Sequence, residues 1–186
     1  MRTGPSVASA SAAEFIYSKT GKFKGKQTTN QEYKTGGGAT VVCKKSEPSG
    51  EVTKLKGTEQ ESTVAYSECT VSGLGSASVT PATYTFFIPL LVSVLTNNIT
   101  IKATALGVKC TIVVKPQMLV ATGNMTELNY ENKSGKLLFV SKVTKIASEI
   151  TESNNESLCG KVGELKEGTY TGSVEAEVEG GTIEVK

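Results

Sequence analysis

Hydrophobic and polar residues alternate one by one along several stretches of this chain, as they do in β-strands with one buried face. In residues 173–179 the Val and Ala side chains occupy one face, and the Ser and Glu side chains occupy the other. Similar alternation predicts further strands in residues 61–69, 98–103 and 127–131. Runs that are richer in apolar residues, and therefore suit central strands, cover residues 110–114 and 137–143.

Turn-forming residues separate these runs at short intervals. Gly180 and Gly181 lie between two alternating segments, residues 173–179 and 182–186, so the pattern predicts a C-terminal β-hairpin. Other groups of Gly, Pro and Ser predict turns at residues 35–38, 47–50, 72–75, 133–135 and 167–168. Short strands at this spacing predict an all-β fold, an antiparallel β-sandwich with a β-barrel as the alternative.

Two stretches fit more than one structure. Residues 142–153 have apolar positions at a helical spacing, but they are rich in β-branched residues, so we expect a strand, with a short helix as the minor alternative. Residues 84–95, YTFFIPLLVSVL, form the longest apolar run of the chain. The run is too short for a membrane helix, which needs about 20 residues. We expect two adjoining buried strands that break at Pro89, and no membrane span.

The first residues look like the end of a secretion signal. Residues 9–13 are all small and offer cleavable small-x-small sites, and Arg2 supplies a positive start. The apolar run that precedes such a site in a signal peptide does not occur in residues 1–7. We therefore expect residues 1–13 to be a signal-peptide remnant or a disordered tail, and residues 14–186 to form a single β domain.

The composition excludes several kinds of function. The chain has no His and no Asp, so a Ser-His-Asp triad cannot be built, and calcium sites usually draw on Asp. Its net charge of +2 favours no particular partner. Arg2 is the only arginine and there is no Trp, whereas nucleic-acid readers rely on arginine forks and aromatic platforms. We expect no nucleic-acid partner, no metal and no cofactor.

Glutamates are the remaining candidates for acid–base chemistry, since a glycosidase needs a carboxylate pair. Glu127 and Glu131 are close in sequence, and so are Glu175, Glu177 and Glu179. The latter three share one strand face, which favours a solvent-facing surface that discourages edge pairing. Sugar-cleaving sites usually include Trp, which this chain lacks. We therefore expect no catalytic residues and no enzymatic activity.

The four cysteines are Cys43, Cys69, Cys110 and Cys159. None belongs to a C-x-x-C pair and no His accompanies them, which disfavours both a zinc site and a nucleophilic thiol. An even number of isolated cysteines favours two disulfides formed in an oxidising compartment, although four free buried thiols are the alternative. Of the three possible connectivities, we favour Cys43–Cys69 and Cys110–Cys159, because the first pair brackets strand-like runs and the second closes a longer loop in the other half.

Several longer segments resemble a family of secreted, functionally uncharacterised proteins of soil actinobacteria. The resemblance rests on the small-residue segment followed by AEF, on TTNQEYKTGGGATVVCKK (28–45), on VAYSECTVSGLGSASVTPATYTF (64–86) and on GTYTGSVEAEVEGG (168–181). It covers nearly all of the chain after residue 13, and it implies secretion and a β fold. It implies no activity and assigns no catalytic residue.

These observations together favour a secreted or cell-surface protein without enzymatic activity. Our first hypothesis is a structural or binding role, for example as a subunit of an extracellular layer or filament that self-associates through sheet edges or through its N-terminal segment. The alternative is a monomeric module that binds a glycan or another small ligand, which requires a concave apolar pocket with a few convergent polar groups. The ligand cannot be identified from the sequence.

Overall fold

The computed structural model describes residues 13–88, 92–120 and 127–186, and these residues form β-strands and no helix. The strands are β1 (Phe15–Tyr17), β2 (Gly21–Lys34), β3 (Thr40–Val52), β4 (Lys56–Gly57), β5 (Glu59–Val71), β6 (Gly75–Val79), β7 (Ala82–Phe87), β8 (Val92–Leu95), β9 (Ile99–Ala103), β10 (Cys110–Val114), β11 (Gln117–Val120), β12 (Glu127–Lys133), β13 (Lys136–Ser153), β14 (Gly163–Val178) and β15 (Ile183–Val185).

The main sheet closes into an eight-stranded antiparallel barrel. Its strands follow the order β5-β3-β2-β14-β13-β10-β9-β6, and β6 pairs with β5 again to complete the ring. The predicted all-β fold is therefore confirmed, in the barrel form that was the alternative. The sandwich does not form because the pairing of β6 with both β5 and β9 joins the two ends of one sheet.

Two of the long strands change partners along their length. The first half of β5 pairs with β7 and its end pairs with β6, while β13 pairs first with β12 and later with β10. Glu68 in β5 and Lys145 in β13 have positive φ angles close to these changes. Such local irregularities bend a strand and increase its twist. They allow β7, β8, β11 and β12 to extend the sheet beyond the closed ring.

The buried side chains form two hydrophobic clusters. The larger cluster fills the ring and includes the fully buried Val71, Ile112 and Ile150. The smaller cluster lies towards the other end of the long strands and is built mainly from Phe15, Phe23, Val52, Leu137, Val178 and Ile183. The strands β2, β3, β13 and β14 contribute residues to both clusters, so the two are parts of one continuous interior.

Most of the predicted strands are confirmed. Those at residues 61–69, 98–103, 110–114, 127–131 and 137–143 correspond to β5, β9, β10, β12 and β13. Residues 142–153 continue β13 as a strand. Residues 84–95 contain the antiparallel pair β7 and β8, and the predicted break at Pro89 falls in residues 89–91, outside the described residues.

The predicted C-terminal hairpin is wrong. Residues 173–178 are indeed the end of β14, but β14 pairs with β2 on one side and with β13 on the other. Because both of its edges are occupied, the segment after Gly180 cannot pair with it. Instead β15 pairs with β1, and β1 also pairs with β4.

Two predicted turns are also wrong, because strands run through them. Pro48 and Gly50 both lie inside β3. Pro48 lies where the pairing with β2 is interrupted, whereas Gly50 is paired with Phe23. A strand tolerates proline where ladder hydrogen bonds are missing. Glu167 and Gly168 lie inside β14, at a shift in its register with β13. Glu167 has a positive φ angle there, so the turn-like signal marks a bulge rather than a chain reversal.

Residues 1–12 of the predicted N-terminal tail lie outside the described residues. The backbone of Glu14 exchanges hydrogen bonds with that of Lys186, and β1 follows directly. Both edges of β1 are paired within the same chain. The segment from Phe15 therefore has no open edge for strand addition to a neighbouring molecule. No helix formed by the described residues is long and apolar enough to cross a membrane.

Both disulfides join the predicted cysteines. Cys43 and Cys69 face each other across β3 and β5, with Cα atoms 4.0 Å apart. Cys110 at the start of β10 is joined to Cys159 in the segment between β13 and β14. The described part of the chain contains no free cysteine.

Candidate ligand-binding cavity

A cavity of about 150 Å³ lies inside the sheet, between and beside the two hydrophobic clusters. Residues of the larger cluster, such as Val143 and Leu95, line one part of it, and residues of the smaller cluster, such as Phe15 and Phe23, line another. Its surface is almost entirely apolar. None of the described residues that line it is charged.

Aromatic side chains dominate the wall of the cavity. Of the five Phe and six Tyr in the chain, all but Tyr17 and Phe87 line it. Several of these rings touch edge to face, and the closest pair is Phe86 and Phe139, whose centroids are 4.6 Å apart at an angle of 71°. Tyr84 stacks beside Phe86 on the same strand, and Tyr130 packs on Phe139. The wall therefore offers ring faces and edges of the kind that hold another aromatic or apolar group.

A chain of hydrogen-bonded side chains adds a polar patch to this wall. The hydroxyls of Tyr66 and Tyr84 are 3.2 Å apart, and the Tyr170 ring lines the cavity with them. The Tyr170 hydroxyl donates to Oε1 of Gln31. Nε2 of Gln31 donates in turn to the backbone carbonyls of Thr29 and Ser173. This patch is fully hydrogen-bonded at its Gln31 end, which fixes the orientation of the amide.

Gly172 makes the position of Gln31 possible. A Cβ atom at residue 172 would lie 2.1 Å from Oε1 of Gln31. Gly172 faces the interior from β14 and lines the cavity together with Gln31. The small residue thus provides the space in which the amide reaches the Tyr170 hydroxyl.

Four further hydroxyls line the cavity without a hydrogen-bond partner among the described residues. Those of Tyr33 and Tyr130 are buried and unpaired. Ser93 on β8 and Ser141 on β13 are 2% and 7% exposed, respectively, and their side chains form no hydrogen bond with a described residue. A buried hydroxyl without a partner costs free energy, so these groups are available to a ligand that fills the cavity.

Burial also determines the protonation state of the tyrosine hydroxyls in the wall. It raises the pKa values of Tyr66, Tyr84 and Tyr170 above the ordinary value. These phenols are therefore neutral at physiological pH, and the cavity offers hydroxyl and amide groups but no formal charge. An anionic or cationic ligand would lose its hydration there without gaining an ion pair.

The glutamates considered for acid–base chemistry lie on the surface and not in the cavity. Glu175 and Glu177 both pair with Lys136, at 3.2 and 2.9 Å, and Glu131 pairs with Lys133. The hydrogen bond with Lys136 lowers the pKa of Glu177, and the same contact raises the pKa of Lys136. Because β14 is a central strand, Glu175 and Glu177 form cross-strand ion pairs with Lys136 of β13 and do not protect a sheet edge. The side chain of Glu127 is not among those described.

A second, polar depression lies on the surface near residues 134–136 and 177–182. Its Lys136 pairs with Glu177, and its Lys24 lies 3.8 Å from Glu179. Since these charges neutralise one another, the depression offers little to a charged ligand. No group of three or more Cys or Glu side chains in the described ranges is arranged to hold a metal ion.

Sequence reasoning did not identify the cavity residues, although the alternation contains a signal for them. Ser93 and Ser141 are single small polar residues at inward positions of otherwise apolar runs. Tyr84 and Tyr170 occupy the centres of the two Thr-Tyr-Thr tripeptides, 83–85 and 169–171. Inward polar positions in apolar strands would have indicated a polar patch inside the barrel, but not that its residues converge.

Comparison with known proteins adds no further assignment: no family model matches the chain, and neither the curated proteins nor the solved structures contain a significant match.

Proposed function

We propose that this protein is a secreted binding protein without enzymatic activity, which holds a small, neutral and mostly apolar molecule inside its barrel. The observation that carries the proposal is the internal cavity, which aromatic side chains surround and no charged side chain of the described chain reaches. Binding sites for small molecules typically combine such an apolar wall with a few well-placed polar groups. Here Gln31, Tyr84, Ser93 and Ser141 are groups of that kind.

The size of the cavity limits the size of the ligand. A volume of about 150 Å³ is smaller than the roughly 300–1,000 Å³ of sites for drug-sized compounds. An engineered apolar cavity of about 150 Å³ in another protein binds benzene. The proposed ligand is therefore a compound with one small ring or a short chain.

Two observations support secretion and the absence of catalysis. Disulfides persist in oxidising compartments, and the chain has two. The Glu and Lys side chains whose pKa values are shifted, such as Glu68 and Lys45, belong to exposed ion pairs and not to the cavity. An enzyme that used Glu or Lys would need such a group in a cleft with its substrate.

The test is calorimetric titration of the protein with benzene, with glucose as a polar probe. Binding of benzene that also raises the melting temperature is the expected result, because a ligand that binds only the folded state stabilises it. Glucose should not bind, since its many hydroxyls would lose their hydration in an apolar cavity. Absence of any effect of benzene at its solubility limit, or binding of glucose alone, would overturn the proposal.

A second candidate function, self-association, rests on the edge of β11. Within the described residues β11 pairs only with β8. The start of its other edge is covered, because the side-chain amide of Gln117 bonds with the backbone N–H and C=O of Ala147 in β13. The next residue, Met118, is 64% exposed, so strand addition would use the edge from Met118 onwards. The edge of β12 is partly covered, because the side-chain amide of Asn132 bonds with the backbone N–H and C=O of Val185. Strand addition at β11 should give concentration-dependent oligomers in size-exclusion chromatography. A protein that stays monomeric at high concentration would rule this out.

A further inference from the structure

Two of the unpartnered hydroxyls of the cavity, those of Ser93 and Ser141, are neighbours of the same pair of rings. Ser93 lies directly opposite Phe86 in the register of β8 and β7. Ser141 lies two residues after Phe139 on β13 and lines the cavity with it, because side chains alternate along a strand. Phe86 and Phe139 are themselves in edge-to-face contact. A small aromatic ring packed on this pair would lie close to both serines.

The Gln31 amide sets the direction of one hydrogen bond in this polar patch. Since Nε2 of Gln31 donates to two carbonyls, its Oε1 is the acceptor for the Tyr170 hydroxyl. In the neighbouring pair of Tyr66 and Tyr84, either hydroxyl can be the donor. Each phenol has one proton to donate and can also accept. The Tyr84 hydroxyl therefore has one further hydrogen-bonding position for a ligand, as an acceptor or as a donor.

The geometry points to a small hydroxylated aromatic compound, of the phenol class, as the ligand of this cavity. This inference rests on the proposed function and specifies its ligand. The ring would pack on Phe86 and Phe139, and the hydroxyl would form hydrogen bonds with Tyr84 and with Ser93 or Ser141. A hydroxyl suits this site because it both donates and accepts, whereas a carbonyl only accepts. A carboxylate would lack a counter-charge there.

The experiment compares phenol with toluene, which has nearly the same shape but no hydroxyl. Calorimetric titrations are carried out on the wild-type protein, on the double variant Ser93→Ala/Ser141→Ala, on Tyr84→Phe and on Ser148→Ala. Ser148 is as deeply buried as the other two serines but does not line the cavity, so its variant is the matched control.

The wild type should bind phenol about tenfold more tightly than toluene, as expected for one or two net hydrogen bonds. The double variant should lose about tenfold in phenol affinity and keep its affinity for toluene, which also demonstrates that it is folded. Tyr84→Phe should weaken phenol binding several-fold in the same selective way. Ser148→Ala should leave the ratio of the two affinities unchanged.

The outcomes separate the two proposals. If toluene and phenol bind equally well, or if the double variant keeps the wild-type preference for phenol, the inference about the hydroxyl is wrong while the binding function stands. If neither compound binds, the proposed function fails as well. Benzoate is titrated alongside as a charged analogue, and tighter binding of benzoate than of phenol would overturn the requirement for a neutral ligand.

Discussion

Filling the cavity should stabilise the protein, and the substitution Ser141→Leu tests this directly. At about 24 cal/mol per Å³ of cavity, the space of about 150 Å³ corresponds to about 3.6 kcal/mol of stability lost relative to a filled interior. Leucine replaces an unpartnered hydroxyl by three carbon atoms, each of which contributes about 0.8 kcal/mol on burial. The expected gain in the free energy of unfolding is therefore about 2 kcal/mol, which is less than the roughly 3.6 kcal/mol that filling the whole cavity would give. For a chain of this length it raises the melting temperature by about 4–8 °C.

The assay is chemical and thermal unfolding of Ser141→Leu beside the control Ser148→Leu. Ser148 is 5% exposed on the same strand but does not line the cavity. Its replacement should therefore overpack the core and destabilise the protein by about 1–3 kcal/mol. The leucine at position 141 should also abolish the binding of benzene. If the two variants are destabilised equally, the space beside Ser141 does not exist and the reasoning about the cavity is refuted.

Three further predictions concern the scaffold. Replacing Cys43 and Cys69 by alanine should lower the free energy of unfolding by about 3.5 kcal/mol, as loop-closure entropy predicts for a sequence separation of 26 residues. Urea unfolding measures this loss, and a value below about 1 kcal/mol would contradict the prediction. Gly50→Ala should destabilise the protein by about 1–3 kcal/mol, since its Cβ would lie 2.4 Å from the Phe23 ring. The control Gly57→Ala should be nearly neutral in the same assay, because its Cβ would meet no atom closer than 3.7 Å. Burial raises the pKa of all six tyrosines, so the stability that their neutral form provides is complete below pH about 10 and is lost as the pH rises above it. Tyrosinate absorbance and circular dichroism should change in one alkaline step, and tyrosinate that forms while the dichroism stays native would disprove this.

The fold class could be predicted from the sequence because alternation is a local property. Each strand-like run, such as residues 98–103 or 137–143, is recognised from its own pattern of apolar positions. Closure into a barrel could not be predicted in the same way, because it depends on β6 pairing with both β5 and β9. The C-terminal hairpin was predicted wrongly for a related reason. Gly180 and Gly181 do allow the chain to turn, but they carry no information about the occupied edges of β14.

The cysteine pairing was predictable, whereas the cavity was not. Cys43 and Cys69 bracket strand-like runs and lie on β3 and β5, which pair directly, so an argument from neighbouring strands sufficed. The cavity brings together Gln31, Tyr84 and Ser141 from β2, β7 and β13. Their convergence depends on the curvature of the whole sheet and on the space that Gly172 leaves for the Gln31 amide. Neither can be predicted from a local sequence pattern.

The strands that contribute to both hydrophobic clusters have a consequence for how the molecule unfolds. In β2, β3, β13 and β14 the same backbone carries side chains of the larger cluster at one end and of the smaller cluster at the other. Unfolding of one cluster would separate strands whose backbone pairing also supports the other cluster. The domain should therefore unfold as one cooperative unit. The slowest amide hydrogen exchange should then occur in the middle of these four strands. Since residues of both clusters line the cavity, a molecule that fills it would slow exchange along the entire length of the barrel rather than at one end.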